Sequence, residues 1–229
     1  NAAYTLAEFY GIINSGQAKN YFTTGDKIKL VPDAGTTAFA DSSFILQLEA
    51  FNHFKLSDGS GDFAACHFGM IGIMNSNRSM NSTSTNVGGW AETSMRKWLN
   101  NTIYNALPQK WKAMIKKVQV ISTIGNTSDT TSTSDDYLYL RSWREVGFGS
   151  SVPYGAEVDE NAENKNFPVY TDNASRVKKP YNNTGSAAYW WLRSPAASSS
   201  NYFANVYTVG NSISGNANNS IGVSFGFSI

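Results

Sequence analysis

The chain closes on a strict alternation. Val223, Phe225, Phe227 and Ile229 alternate with Ser224, Gly226 and Ser228, a period of two with one bulky and one small face, the pattern of a strand laid on a core. A chain that ends this way ends inside its own fold. The constraint tightens because no residue from Ser194 to Ile229 carries a charge, and Gln, Met and Trp are missing there too. Lys, Glu, Gln, Met and Trp are spread through the rest of the sequence, and at that rate about five would be expected in this stretch. The stretch is therefore either a low-complexity tail or a surface written under restrictive coding rules. The closing strand, with Phe203, Val206 and Gly210 punctuating the middle, speaks against a tail.

Upstream, the pattern predicts a mixed α+β domain. Thr5-Leu6-Ala7-Glu8 reads as a capping box, followed by Leu6, Phe9, Tyr10 and Ile13 at helical spacing and a stop at Gly16. Ile28 to Val31 reads as a short strand. The apolar runs Phe44 to Phe54 and Phe63 to Met74, parted by Ser57-Asp58-Gly59-Ser60-Gly61, read as a hairpin. Ser76 to Gly89 is a polar loop by composition. Met95, Trp98, Leu99 and Ile103 share a helix face, with Arg96 and Lys97 off it, and Pro108 opens a further helix with Trp111, Met114, Ile115 and Val118 inward. Val118 to Thr123, Tyr137 to Leu140 and Tyr189 to Arg193 read as strands, Asn126 to Asp135 as an exposed loop, and Glu157 to Lys165 as a solvated acidic insertion. Of Trp190 and Trp191, one is expected in the core and one on the surface, and Arg193 in a structural hydrogen bond or ion pair. Short strands and long loops, with no repeat or linker, give one domain over 1–229.

Several chemistries are excluded or disfavoured. A net charge of +1 with no basic stripe gives no reason to expect nucleic acid, and no apolar run is long enough for membrane insertion. Cys66 is the only cysteine, so there is no internal disulfide and no cysteine metal cluster. Catalytic, phosphate-binding and zinc-protease motifs are absent. His67 follows Cys66 directly, and neighbours on a strand point to opposite faces, so the pair reads as core and not as a nucleophile with its base. The expectation is no catalytic residue, no metal and no cofactor.

A set of segments carries a resemblance. Gly88-Gly89-Trp90, Thr93-Ser94-Met95-Arg96-Lys97-Trp98-Leu99-Asn100, Phe51-Asn52-His53, Tyr189-Trp190-Trp191-Leu192-Arg193-Ser194-Pro195 and Gly222-Val223-Ser224-Phe225-Gly226-Phe227-Ser228-Ile229 together resemble the variable proteins of diversity-generating retroelements, over roughly residues 5–229. The resemblance implies a C-type lectin fold of the formylglycine-generating-enzyme branch, with two or three helices packed on short, mostly antiparallel strands and long loops. That branch's enzyme activity is not implied, because its copper site needs a cysteine pair. The resemblance also implies a reverse transcriptase that randomises adenines, mostly in Asn codons ending in a pyrimidine. Such codons can become Asn, Ser, Tyr, Gly, Ala, Val, Thr or Ile, among others, but never Lys, Glu, Gln, Met or Trp, five of the residue types that the C-terminal stretch lacks.

On this reading Phe203, Val206, Gly210, Gly222, Val223, Phe225, Gly226, Phe227 and Ile229 are framework. Within a hypervariable region of about 198–221, Tyr202, Tyr207, Thr208, Val209, Asn211, Ser212, Ile213, Ser214, Gly215, Asn216, Asn218, Asn219 and Ile221 are the candidate ligand-binding positions. Tyr, Ser, Gly and Asn are the residues of adaptable paratopes, with Tyr202 and Tyr207 as rigid anchors. The expected function is non-enzymatic binding of a variable protein or cell-surface ligand of a host or neighbouring cell, on a phage tail fibre (virion) or an extracellular bacterial surface. Alternatives are an undiversified, fixed-specificity lectin-like module for carbohydrate or cell wall, and an undiversified structural domain. Monomer and trimer both stay open.

Overall fold

A computed structural model of the protein describes residues 4–36, 38, 43–151 and 153–229. The first helix, Leu6–Asn14, starts where the capping box places it: Thr5 Oγ1 accepts the Glu8 N–H at 3.3 Å, and Glu8 Oε2 accepts the Thr5 N–H at 2.8 Å. Phe9 and Ile13 are its buried stripe. The helix anticipated around Trp98 runs from Ser94–Trp98 through a π-helical segment, Leu99–Ile103, into Tyr104–Ala106, with Met95, Leu99 and Ile103 buried. The widened turn has a visible partner. Asn100 Nδ2 donates to the Arg96 carbonyl at 3.1 Å and to the Leu138 carbonyl at 2.9 Å, while its Oδ1 accepts the Tyr137 N–H at 2.7 Å. Gln109–Lys112 forms the next helix behind Pro108, and single turns such as Ala18–Tyr21, Gly89–Glu92 and Asn173–Arg176 link the rest.

The strands, in chain order, are β1 Lys27–Leu30, β2 Phe44–Phe51, β3 Cys66–Met70, β4 Val118–Thr123, β5 Thr131–Asp136, β6 Trp190–Pro195, β7 Tyr202–Val206, β8 Ser212–Asn216 and β9 Gly226–Ser228. They build small antiparallel sheets ordered β1-β2-β3-β9, β4-β5 and β6-β7-β8. The anticipated hairpin is β2–β3, with Leu46 opposite Met70 and Phe51 opposite Cys66. One hydrophobic cluster runs from Phe9 through Trp90, Trp111, Trp190, Trp191 and Phe203 to Ile229.

Four sequence expectations need correction. Asn126–Asp135 is not all loop, because Thr131–Asp136 pairs with β4, Thr123 opposite Thr131 and Val118 opposite Asp136. Its alternation is hidden by uniformly polar side chains, since Ser134 and Asp136 turn inward while Thr133 and Asp135 face water. Tyr137 to Leu140 is not a strand: Leu138, Tyr139 and Leu140 are buried and Tyr137 half-buried, and the segment carries a single bridge, Tyr139 to Gly226. Trp190 and Trp191 are both fully buried: they do point to opposite faces, but both faces are covered, and each indole N–H reaches a carbonyl, Arg176 at 3.0 Å and Arg78 at 2.8 Å. The small face of the closing strand is likewise not outward. Ser224 and Ser228 are buried, and a Cβ at Gly226 would meet His67 Cε1 at 2.6 Å. The residues are small there because side chains lie against them.

Candidate functional site

Two places concentrate polar chemistry, and they differ in kind. The first is an ionic centre inside the core. β2 and β3 slip register between Leu48 and Ala50, a bulge that re-aims the intervening Glu49. Arg141 grips Glu49 from two sides, Nε to Oε2 at 2.8 Å and Nη2 to Oε1 at 2.7 Å, and Tyr170 Oη donates to the same Oε1 at 2.8 Å. Gly69 leaves the space, since a Cβ there would stand 1.7 Å from Arg141 Nη2. A second register shift, between Trp191 and Pro195 on β6, aims Arg193 at Glu145, with Nη1 to Oε2 and Nη2 to Oε1 both at 2.6 Å. The remaining Arg193 donors go to the carbonyls of Ile121, Leu140 and Glu157, so the guanidinium is fully satisfied.

These pairings set the protonation of the centre. Burial works against the charged forms of Glu49 and Glu145, but Arg141 and Arg193 overcome it and hold both carboxyls well below the usual range. Glu157 differs. Sequence reasoning places it in a solvated acidic insertion, whereas it is fully buried, near Thr123 N and hydrogen bonded with Ser194 Oγ. Burial raises its carboxyl to about 7. The other acidic residues of that insertion are exposed or half-buried, with Asp159 paired to Lys55 and Glu163 to Lys19, while Val158 and Ala162 are buried. Burial also pushes the Cys66 thiol up to about 12, which keeps it from acting as a thiolate at neutral pH. His67 lies with Tyr139, Nδ1 to Oη 3.0 Å, and burial lowers its pKa. His53 Nε2 meets Glu145 Oε1 at 3.0 Å and Nδ1 meets the Asn164 carbonyl at 2.8 Å, well occupied and not paired with Cys66. Among the described residues no group of three or more His, Cys, Asp or Glu is placed to hold a metal ion. Glu49, Arg141, Glu145 and Arg193 are all buried and bonded to one another or to main-chain carbonyls, the chemistry of an anchor.

The second place is the β7–β8 hairpin and the turns at its ends. Every candidate position is at the surface: Tyr202, Tyr207, Val209, Asn211, Ile213, Ser214, Asn218 and Asn219 are exposed, and Thr208, Ser212, Gly215, Asn216 and Ile221 half-buried. Phe203, Val206, Gly210, Gly222, Val223, Phe225, Gly226, Phe227 and Ile229 are all buried. The two glycines assigned to opposite classes behave oppositely. Gly210 has φ +85° and a Cβ there would sit 1.8 Å from the Asn173 carbonyl oxygen, so only glycine fits. At Gly215, where φ is not positive, the nearest atom to a Cβ would be the Asn205 side-chain Nδ2 at 3.2 Å, a far looser contact than at Gly210.

The surface positions do not share one face of the sheet. They follow its edge: β8 forms the middle, Tyr207 to Asn211 the turn at one end, and Asn218 to Ile221 the turn at the other. Asn86 fastens the second end, with its Nδ2 donating to the carbonyls of Ser199 at 2.6 Å and Tyr202 at 2.8 Å. Asn173 Nδ2 donates to Asn211 Oδ1 at 2.5 Å at the first end. Sequence reasoning missed three neighbours of this rim. Tyr189 stands edge-on to Tyr207 at 4.8 Å between ring centroids, Ser84 Oγ donates to Asn216 Oδ1 at 2.7 Å, and Arg78 stacks over Trp98 at 4.4 Å while bridging Ile221. All three precede the charge-free stretch, so the compositional signal could not reach them.

A family model described as Domain of unknown function (DUF6273) matches residues 60–229, and the chain belongs to that family. Both places lie largely within the match, while β1, β2 and Glu49 precede it. Neither curated proteins nor solved structures yield a match.

Proposed function

We propose that this protein is a non-enzymatic binding domain on a C-type-lectin-like scaffold. Its β8 rim is diversified by adenine-directed mutagenesis and presented on a phage tail fibre or a bacterial surface to changing protein or cell-surface targets. The observation that carries this reading is the separation at the C-terminus. Framework and candidate residues alternate closely along the chain, yet every framework residue is buried and every candidate is exposed or half-buried. A stretch free to change at its surface positions must be anchored at the others, and substitutions at exposed positions away from caps and strained turns ordinarily stay within about 0.5 kcal/mol. The absence of Lys, Glu, Gln, Met and Trp fits the same reading, because the mutagenic code cannot write those five; Arg, Asp, His, Leu and Cys, which it can write, are absent as well.

Two measurements test it. The gene should be followed by a near-copy of its 3′ end, differing almost only where the copy has adenine, and by a reverse transcriptase; absence of both refutes diversification. Independently, changing Tyr207 and Ser212 together to Ala should abolish binding of the cell-surface target and leave Tm within a few degrees. A large fall in Tm would place these residues in the scaffold.

A further inference from the structure

We propose that the free edge of β8 takes an extended segment of another protein as an added strand. The backbone of β8 would supply the bonding pattern, and the side chains around it the choice of partner. This deepens the binding reading above and rests on it.

The register fixes which groups are available. The Tyr207 N–H donates to the Asn211 carbonyl at 2.8 Å, and the Ala217 N–H to the Asn201 carbonyl at 2.9 Å. With Asn205 opposite Ile213 and Phe203 opposite Gly215, the odd-numbered residues of β8 bond inward to β7. Ser212, Ser214 and Asn216 therefore turn their backbone groups outward. The Asn216 carbonyl is taken by the Asn219 N–H at 2.9 Å. The N–H and C=O of Ser212 and Ser214 and the N–H of Asn216 have no partner among the described residues. β8 is the outer strand of its sheet, Ser214 is exposed, and Ser212 and Asn216 are half-buried, so these groups face water as an open ladder.

Edges of this kind are normally blunted by charge, proline or a bulge. Other edges here carry charge or are covered by a bridge. β1 carries Lys27 and Lys29, β5 carries exposed Asp135, and the outer side of β9 is bridged by Tyr139 and Lys116. β8, Ser-Ile-Ser-Gly-Asn, has no charge, no proline and an unbroken register.

The open ladder spans about 13 Å, which matches a partner strand of about five residues. Its chemistry follows from the surroundings: uncharged, because nothing on β8 would neutralise a charge, and apolar where it meets Ile213 on one face, with Tyr207 and Tyr202 flanking the two ends. A second copy of the chain fits less well. Two β8 strands paired about Ser214 would bury a few residues from each copy, far short of the roughly 1,200 Å² of a stable interface. Main-chain bonding also suits a diversified site, because the ladder persists whatever side chains are written on it.

The test uses the whole chain against a displayed library of random linear twelve-residue peptides, with a glycan array in parallel. Ser214→Pro removes one outward N–H and leaves the inward bonds of Ile213 and Gly215 in place. The expected result is selected peptides whose affinity falls about tenfold or more on Ser214→Pro at unchanged Tm. On the unaltered chain, N-methylation along the peptide should weaken binding at every second residue, a readout that survives if the proline variant misfolds. Peptides that tolerate methylation everywhere, or bind Ser214→Pro equally, overturn strand addition; if Tyr207→Ala still abolishes their binding, the binding surface itself stands. Glycans bound through Tyr207 and Ser212 with no peptide selected would do the same. Self-association that Ser214→Pro dissolves would make the occupant a second copy and refute the proposal. Binding of neither class at Tyr207 and Ser212 would sink both readings.

Discussion

β6 and β8 belong to one sheet and lie two strand spacings apart, about 10 Å, yet they are opposites. Every residue of β6 is buried and no residue of β8 is. Strand propensity does not explain this; what covers each strand does. Above and below β6 lie Lys178, whose ammonium stands 5.1 Å from the Trp190 ring, the Arg78 carbonyl that receives the Trp191 indole, and Glu145 with Arg193. β8 has β7 on one side and water on the other. β7 between them is buried from Phe203 to Val206 and exposed only at Tyr202. The sheet thus grades from a covered anchor to an open rim, across a single intervening strand.

The largest effect should come from cutting the anchor. Arg193→Ala leaves the buried Glu145 carboxylate with His53 and the Ser142 N–H as its bonding partners, and removing one partner of a buried pair typically costs about 3–5 kcal/mol, roughly a third or more of a domain's stability. Urea unfolding at pH 7 should show that loss. Arg193→Met with Glu145→Leu should recover part of it, because the uncompensated charge is then gone. A loss below about 1 kcal/mol for Arg193→Ala would mean that apolar cover alone holds β6, and the contrast with β8 would shrink to packing.

Next in size is a pH dependence that belongs to the anchor alone. Burial raises the Glu157 carboxyl from the ordinary 4.5 to about 7. Between those values the folded chain binds a proton that the unfolded chain has released, so this group's contribution is present below about 4.5 and lost as pH rises towards 7. The loss is about 3 kcal/mol at most. Glu49 and Glu145 work the other way. Their carboxyls are lowered, so their contribution is present above the ordinary carboxylate value and lost as pH falls below it. Glu157 thus favours the acid side of neutrality, while His67, whose pKa burial lowers, loses its contribution as pH falls below the ordinary imidazole value and opposes it over part of that range. Glu157→Gln, able to accept from Thr123 and donate to Ser194, should flatten the decline between 4.5 and 7 and leave the acid limb intact. Rim substitutions should leave the whole profile unchanged, as β8 has no ionisable side chain. An unaltered decline in Glu157→Gln would assign it to another group.

How much of this was legible in the sequence depended on whether a residue's role is local. The first helix could be read because Thr5 and Glu8 satisfy each other within a turn, and the β2–β3 hairpin because its apolar runs flank a turn. The division of the C-terminus into buried and surface positions was legible because bulky or turn-forming residues were set among small polar ones. Glu157 was not, since its burial depends on Thr123 and Ser194, far along the chain in either direction. Placing one of Trp190 and Trp191 at the surface fails because alternation tells which way a side chain points but not whether something lies there. β5 was missed because its inward residues are Ser134 and Asp136, the latter buried only because the Trp90 indole and Arg96 bond to it at 2.8 and 2.6 Å. The edge character of the candidate site also depends on pairing order, which no local pattern carries.

The smallest effect is the one that sharpens the contrast most. Thr208→Ser, Ser214→Tyr and Asn218→Ser use only residues that the proposed adenine-directed mutagenesis could write, and they sit in one turn, on β8 and in the other turn. None is fully buried, and Ser214 faces the open edge. Each should change unfolding free energy by about 0.5 kcal/mol or less, and the triple variant should equal the sum of the singles if the rim positions are energetically independent. Tyr at Ser214 has room and a higher strand preference than Ser, so its sign should be neutral or slightly favourable. Coupling beyond about 1 kcal/mol among the three, read from the full set of single, double and triple variants, would show that the rim folds as one unit. In that case residues could not be written on it independently, and the division between β6 and β8 would not be one between fixed and free.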